Sequence, residues 1–306
     1  MPHDEILQKI SSDLDSIKNH LKIVPDKFIT IIDIYEKIEN YKEFAVNELG
    51  ISQATVNNQK SAIRGFLNYS QGIINKETVK EYLESNDSPS WKSNQLKALR
   101  KFIRDYLHLG NWINEFVFTK EKAKLKKEIP DDYQLALFCS KLDYPIQMIF
   151  LILTSSGLRI GEVLSLKLDN IDFETNMLDV SEVHESDTKS SWISFMTNQT
   201  SQYIASYVKT LHTDMLFPIS YKSVQENFQQ VSEETGIKIK PHLLRTVFTE
   251  KCTQAELGEK YIDAFCGRTS QSIIRKHYTD YSPKAMRRQY DKVESLLTLP
   301  FAQNND

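Results

Sequence analysis

Cysteine is scarce in this chain. Among 306 residues only Cys139, Cys252 and Cys266 are cysteines, an odd number with no CxxC pair. That argues against a disulfide framework and against a structural zinc site, and for a reducing compartment. Long apolar runs are also missing: the longest, MIFLIL at 148–153, falls far short of the roughly 20 residues a membrane-crossing helix needs. The start, MPHDEILQK, has neither a basic nor an apolar stretch of the secretory kind. A cytoplasmic protein with no membrane partner is expected. An excess of positive charge is absent as well, the balance being −3, which taken alone speaks against a nucleic-acid partner. No internal repeat is evident, and the first half holds no convincing strand.

What is present suits a soluble globular protein, with 40% hydrophobic and 26% charged residues, in a chain long enough for two domains. Residues 4–24 space Ile6, Ile10, Leu14, Ile17 and Leu21 by threes and fours, an amphipathic helix ended by Pro25. Its stripe is expected to bury against the next domain. Helical patterns continue over about 30–48, 52–70 with Ser52 as cap, 75–85 and 89–108, closed by Gly110. KEKAKLKKEIPDD (120–132), polar and broken by Pro130, is the best linker. Beyond it YPIQMIFLILTSS reads as a buried helix interrupted by Gly157, and IGEVLSL (160–166) as a short second one. Strand signals follow at 169–173, 177–180 and 191–196. Helices return from Asn198, apart from a crossing at 214–220. The fold class is therefore mainly α, a helical first domain and an α-rich second one with a small antiparallel β-sheet. The expected divisions are an N-terminal helix (1–28), a helical domain (29–119), the linker (120–132) and a second domain with a tail helix (133–306).

The charge is unevenly spread. Lys92, Lys97, Arg100, Lys101 and Arg104 face one acid, Asp105, and Lys122, Lys124, Lys126 and Lys127 crowd the linker. Arg268, Arg275 and Lys276 are followed by Lys284, Arg287, Arg288 and Lys292 near the end. One such stripe is ordinarily a solvated helix face. Three on an acidic chain fit the footprint of a phosphate backbone.

Several residues could carry chemistry. In SSGLRIGEVLSL, Arg159 stands where the helix dipole is positive and a cation is disfavoured. A bound anion would account for it, as would a simple Arg159–Glu162 pair at i, i+3, and Glu162 could hold the guanidinium for the anion. Lys189, between two predicted strands, is by itself an ordinary solubilising lysine. In PHLLRTVF, His242 and Arg245 share a helix face; the histidine could exchange a proton near neutrality and the arginine could fork two phosphate oxygens. Arg268 follows a glycine, and Tyr278 comes ten positions later. A tyrosine becomes a nucleophile only where cations stabilise the developing charge and a group accepts its proton, because its ordinary pKa is about 10.

In this order, arginine, lysine on a β-turn, His-x-x-Arg, glycine plus cation, then tyrosine, the second half resembles the tyrosine recombinases, the phage-integrase family. SSGLRIGEVLSLKLDNID, MLFPIS, HLLRTVFTEKC and the Tyr278 segment carry the likeness. The first half is similar to that family's core-binding domain only in architecture and in stretches such as ATVNNQKSAIRGFLNY. Two positions depart: Thr246 stands where the family usually has a second histidine, and Gly267-Arg268 where it has Gly-His. The GR…HY ending resembles integrases of archaeal mobile elements.

The resemblance implies a site-specific recombinase that breaks and rejoins DNA without metal or other cofactor. Tyr278 would form a 3′-phosphotyrosyl link, strand exchange would pass through a Holliday junction, and a homotetramer would assemble on DNA from monomers or weak dimers. Arg159, Arg245 and Arg268 would hold the phosphate, Lys189 would protonate the leaving oxygen and His242 would assist proton movement. The basic stretches of the first half and linker, with Arg275, would contact duplex DNA at specific recombination sites. A type IB topoisomerase-like relaxing enzyme and a catalytically silent DNA-binding module are the alternatives. Finally, KAMRRQYDKVESLLTLPF sets Met286, Tyr290, Val293 and Leu297 in one apolar stripe. It is expected to dock on a neighbouring protomer, with folding back onto its own domain as the alternative.

Overall fold

The computed structural model describes residues 31–117, 129–181, 193–268 and 279–301, residues 31–35 by backbone only. The N-terminal segment 4–24, the linker lysines, Lys189, Arg275 and Tyr278 lie outside the described residues. Contacts divide the chain into two compact units, Met1–Leu125 and Lys126–Asp306.

The first unit is helical: α1 (Ile31–Asn47), α2 (Gln53–Tyr69), α3 (Lys76–Glu84) and α4 (Pro89–Arg100), ending in a short 3-10 turn at Trp112–Glu115. Asn75 caps α3 by accepting from Thr78 N at 2.8 Å, and Ser88 caps α4, where Pro89 needs no donor partner at the first helical position. The stretch expected as one helix over 89–108 changes pitch. After Arg100 it widens into a π-helical segment, Lys101–Tyr106, and Leu107 N reaches back five residues to Phe102 O. The wider turn leaves Phe102 and Ile103 in the core with Ile38, Tyr41, Ile63, Phe66 and Leu99, and stacks Tyr106 on Phe102. Tyr41, buried there, satisfies its hydroxyl on Gln59 at 2.6 Å.

The second unit runs α5 (Asp132–Lys141), α6 (Tyr144–Ser156), α7 (Ile160–Leu164), a 3-10 turn (Leu168–Asn170), β1 (Ile171–Asp172), β2 (Met177–Asp179), β3 (Ile193–Phe195), α8 (Asn198–Val208), α9 (Tyr221–Thr235), α10 (Pro241–Gln254), α11 (Glu259–Phe265), α12 (Pro283–Tyr290) and α13 (Glu294–Leu297). The sheet is antiparallel in the order β1-β2-β3, with Leu178 opposite Ile171 and Ser194. Strand β1 is shorter than expected, because residues 168–170 coil into the 3-10 turn before it. The Asp172 carboxylate accepts from Glu174 N and Thr175 N and closes the β1–β2 turn.

At the centre lies α6, buried from Met148 through Ser156 and packed by α8 and α10. A helix that is apolar all round belongs inside. Its last carbonyls have no partners within the helix, and three other elements supply them. Tyr290 Oη donates to Ser155 O at 2.8 Å, Ser194 Oγ to Ser156 O at 2.6 Å and Arg245 Nη1 to Gly157 O at 2.8 Å.

The tail corrects the expectation of docking on a neighbour. Met286, Tyr290, Val293 and Leu297 are buried within their own unit, in a cluster with Phe195, Phe248, Phe265 and Cys266. Leu299 joins the main core, and its backbone pairs with the Gln199 side chain in both directions. Lys251 adds a clasp: its ammonium binds Asp132 at the start of α5 and Leu296 O in the tail. With the stripe buried in cis, none of its apolar surface is left for a neighbour.

Candidate active site

Two turns and one helix bring the cations of the second unit together. The first turn follows α6. Gly157 takes a left-handed conformation, φ +68°, and a Cβ there would meet the Phe248 ring, with Cε1 only 2.7 Å away. Both facts demand glycine. The chain then turns through Leu158 and delivers Arg159 to the position just before α7. Glu162, 3% exposed, accepts from Arg159 N and Arg159 Nη1, each at 2.7 Å. The i, i+3 pair read from the spacing is therefore present, and it fixes the arginine. Since α7 has only five residues, its dipole adds little, and the guanidinium itself is the main positive feature.

The helix is α10. Pro241 opens it and leaves His242 exposed, while Arg245, one turn on, is only 5% exposed. Arg245 Nη1 donates to Gly157 O, and Nη2 to Cys266 O. The second turn ends α11: Gly267 has φ +53°, its carbonyl accepts from Arg159 Nη2 at 3.1 Å, and Arg268 follows, exposed and paired with Asp263 at 3.4 Å. The two arginines thus lace the 157–159 turn to the 266–268 turn. Arg159, Glu162, His242 and Arg245 line one cleft of about 360 Å3 together with Leu158, Tyr221 and Pro241.

The electrostatics are lopsided. Burial pushes the Arg245 guanidinium below its ordinary pKa, Arg159 and Arg268 add repulsion, and Glu162 opposes. A guanidinium keeps its proton in proteins regardless, so the depression measures how poorly the charge is solvated. Three cations against two carboxylates, Glu162 on Arg159 and Asp263 on Arg268, leave an excess of positive charge that an anion would relieve, and paired planar forks suit the oxygens of a phosphate.

Among tyrosines near the end of the chain, Tyr290 is fully buried, with its pKa raised well above the ordinary value chiefly by burial. It donates to Ser155 O and cannot reach a substrate. Tyr281 packs edge-on against Tyr261.

The structure does not bring every predicted cation to a site. In the first unit Arg100 Nη2 donates to Phe116 O at 2.5 Å, and Arg104 pairs with Asp105 and donates to Asn114 Oδ1 at 3.0 Å. These two fasten the 112–116 turn to the helix. Lys97 is exposed, and Lys92 and Lys101 are half-buried. Sequence reasoning missed Gly157, Cys266 and Gly267 as carbonyl acceptors for the arginines, and Asp263 as the partner of Arg268. The glycines were visible as breaks; nothing in the spacing marks Asp263.

The model of the Phage integrase family matches residues 125–285. The chain is 26% identical over 223 residues to tyrosine recombinase XerA of Saccharolobus solfataricus, covering 65% of this chain and 73% of that protein. It is 24% identical over 263 residues to transposase A from transposon Tn554 of Staphylococcus aureus, covering 78% and 70%. In fold it is similar to a lambda integrase dimer bound to a COC′ core site (TM-score 0.64, 15% identity, 90% of this chain and 86% of that one). The Tn1549 transposon integrase in complex with circular intermediate DNA is another fold neighbour (TM-score 0.63, 15% identity, 84% and 99%). A cleft of laced arginines on a mainly helical unit with a three-stranded sheet, and a family match spanning more than half the chain, place it in the phage integrase family, the tyrosine recombinases, which carry out site-specific DNA recombination.

Proposed function

We propose that this protein recombines duplex DNA at specific sites through a 3′-phosphotyrosyl intermediate, with Tyr278 as nucleophile. One observation carries the reading: Arg245, buried and poorly solvated, shares a cleft with Arg159, and Arg268 adds its charge from the adjoining turn. That is an anion site prepared before the anion arrives, which is where transition-state charge is best stabilised; one such donor is typically worth about 2.7–4 kcal/mol.

In the reaction, Tyr278 Oη attacks the phosphorus and the bond from phosphorus to the 5′ oxygen breaks. His242, at the cleft mouth, helps take the phenol proton, and Lys189 gives a proton to the departing 5′ oxygen. A 5′-hydroxyl from a partner strand reverses the step, so two rounds of exchange pass through a Holliday junction. The helical domain at 29–119 and the cations of the linker at 120–132 bind phosphates of the same duplex, and four protomers assemble on two duplexes.

The test is covalent capture on a nicked duplex that cannot religate. Wild type and Tyr281→Phe should form a protein–DNA adduct, and Tyr278→Phe should form none. An adduct from Tyr278→Phe would show that the nucleophile lies elsewhere. An adduct from none of the three would favour a silent DNA-binding module.

A further inference from the structure

The arginine cleft adjoins a second, larger groove of about 890 Å3, and the two share Tyr221, Pro241 and His242. Phe228, Ile239 and Leu243 give the groove an apolar floor, and Lys222, Lys238 and Lys240 give it a cationic rim. The three lysines differ in what they already hold. Lys222 pairs with Glu226, one turn on in α9, at 3.5 Å, and Glu226 is the one carboxylate among the described residues that line the groove. No ion pair among the described residues engages Lys238 or Lys240. The contrast with the first unit is plain, since Arg100 and Arg104 there are occupied by Phe116 O and Asp105.

Lys238 and Lys240 are exposed on either side of buried Ile239, the alternation of an extended chain, and Lys240 has extended dihedrals (φ −115°, ψ 150°). Two positions along such a chain lie about 6.6 Å apart on one side, a spacing that suits neighbouring phosphates of one strand. Folding does not call for Lys240. It stands at the cap of the 14-residue helix α10, where its side chain cannot accept from the free amides and its charge opposes the helix dipole. An anion beside it removes that conflict. An apolar floor under an unpaired cationic rim, continuous with a cleft suited to phosphate, fits a nucleic-acid strand, with sugars against the floor and phosphates against the lysines.

We propose that this groove carries the DNA strand onward from the attacked phosphate, and that Lys238 and Lys240 bind the phosphates flanking it. The proposal rests on the arginine cleft taking the attacked phosphate, and its test separates the two ideas. Binding to the nicked duplex used for covalent capture is measured over a range of salt concentrations. Lys238→Gln and Lys240→Gln should each lower the slope of log affinity against log salt by about one, and the double variant by about two. Lys209→Gln, an exposed lysine at the end of α8, should leave the slope unchanged. Both groove lysines are exposed, so the variants should melt as the wild type does. Capture also identifies the attacked phosphate, and those flanking it are then replaced in turn by neutral methylphosphonates. The wild type should lose affinity at one or more of these positions. The double variant should lose no more there, because its lysines are already gone.

Unchanged slopes overturn the proposal, and unchanged slopes with weakened self-association would make the groove a protein-docking surface instead. An equal fall for Lys209→Gln overturns it too, since the slope would then follow overall charge. If slopes fall but the flanking methylphosphonates cost the wild type and the double variant the same, the lysines meet DNA elsewhere and the placement is wrong. If the wild type forms no adduct, there is no attacked phosphate, and this proposal falls with the recombinase reading. If adducts form and the slopes hold, only the present proposal falls.

Discussion

Replacing Gly157 by alanine tests whether the turn before Arg159 is as constrained as it looks. The backbone there has φ +68°, and a non-glycine residue in that left-handed region costs roughly 1–2 kcal/mol. The added methyl would also meet Phe248, whose ring is fully buried in α10 three residues after Arg245. Phe248 has nowhere to go without shifting Cys252, Phe265 or the tail packed around it, and overpacking of this kind costs about 1–3 kcal/mol. The two effects together predict a loss of about 2–5 kcal/mol, or a fall in Tm of several degrees for a unit of this size, roughly 2–4 °C per kcal/mol.

Thermal and denaturant unfolding of the purified protein would read this loss. The Phe248→Leu background separates the two causes: with the clash relieved, Gly157→Ala should cost only the backbone part, about 1–2 kcal/mol. Adduct formation should fall in the glycine variant, because Gly157 O is an acceptor for Arg245 and the push falls on the helix that carries that arginine. A Gly157→Ala protein within about 0.5 kcal/mol of wild type, or an equal loss in both backgrounds, would refute the reasoning.

Two further outcomes follow from the same contacts. Glu162→Gln keeps the shape of the buried partner but removes the charge that holds Arg159 at 2.7 Å; stability should drop by about 1–3 kcal/mol in denaturant unfolding, and adduct formation should slow, whereas an unchanged rate would mean Arg159 needs no such support. Truncation after Ser282 should yield an unfolded or aggregated second unit, seen as loss of its cooperative melting transition. A soluble truncated protein with the wild-type transition would show that the buried tail adds nothing to stability.

Much of the second unit is legible in its sequence because its signals are local. The run YPIQMIFLILTSS is apolar on every face, so it must be interior, and Gly157 ends it with a backbone only glycine takes easily. The Arg159–Glu162 pair follows from helical spacing. Helix α5 also has a local signal, although the pattern over 133–141 is given no element: Asp131 and Gln134 form a reciprocal capping box, Asp131 Oδ1 accepting from Gln134 N at 2.8 Å. The charge of the preceding lysines masked that cue. The π-helical widening after Arg100 had no local mark, because it arises from how Phe102, Ile103 and Tyr106 meet Tyr41 and Phe44 across the core. The same holds for Arg100 and Arg104. A stripe of cations looks identical whether it faces a phosphate or the carbonyl of Phe116, and only tertiary structure distinguishes the two.

The tail exposes a deeper limit of pattern reading. Periodicity shows that Met286, Tyr290, Val293 and Leu297 need an apolar partner, but not whose. Magnitudes decide it. Each such side chain gains about 1.5–3 kcal/mol on full burial, so the four together bring roughly 6–12 kcal/mol, comparable to the whole net stability of a typical domain, about 5–15 kcal/mol. A unit that left them open for a neighbour would give up a contribution of that order whenever it was alone. In this chain the partner was already present: the last turn of α6 ends in carbonyls that need donors, and Tyr290 supplies one from the tail while Arg245 supplies another from α10. Burying the stripe and fixing Arg245 therefore depend on the same few ångströms of backbone at residues 155–157.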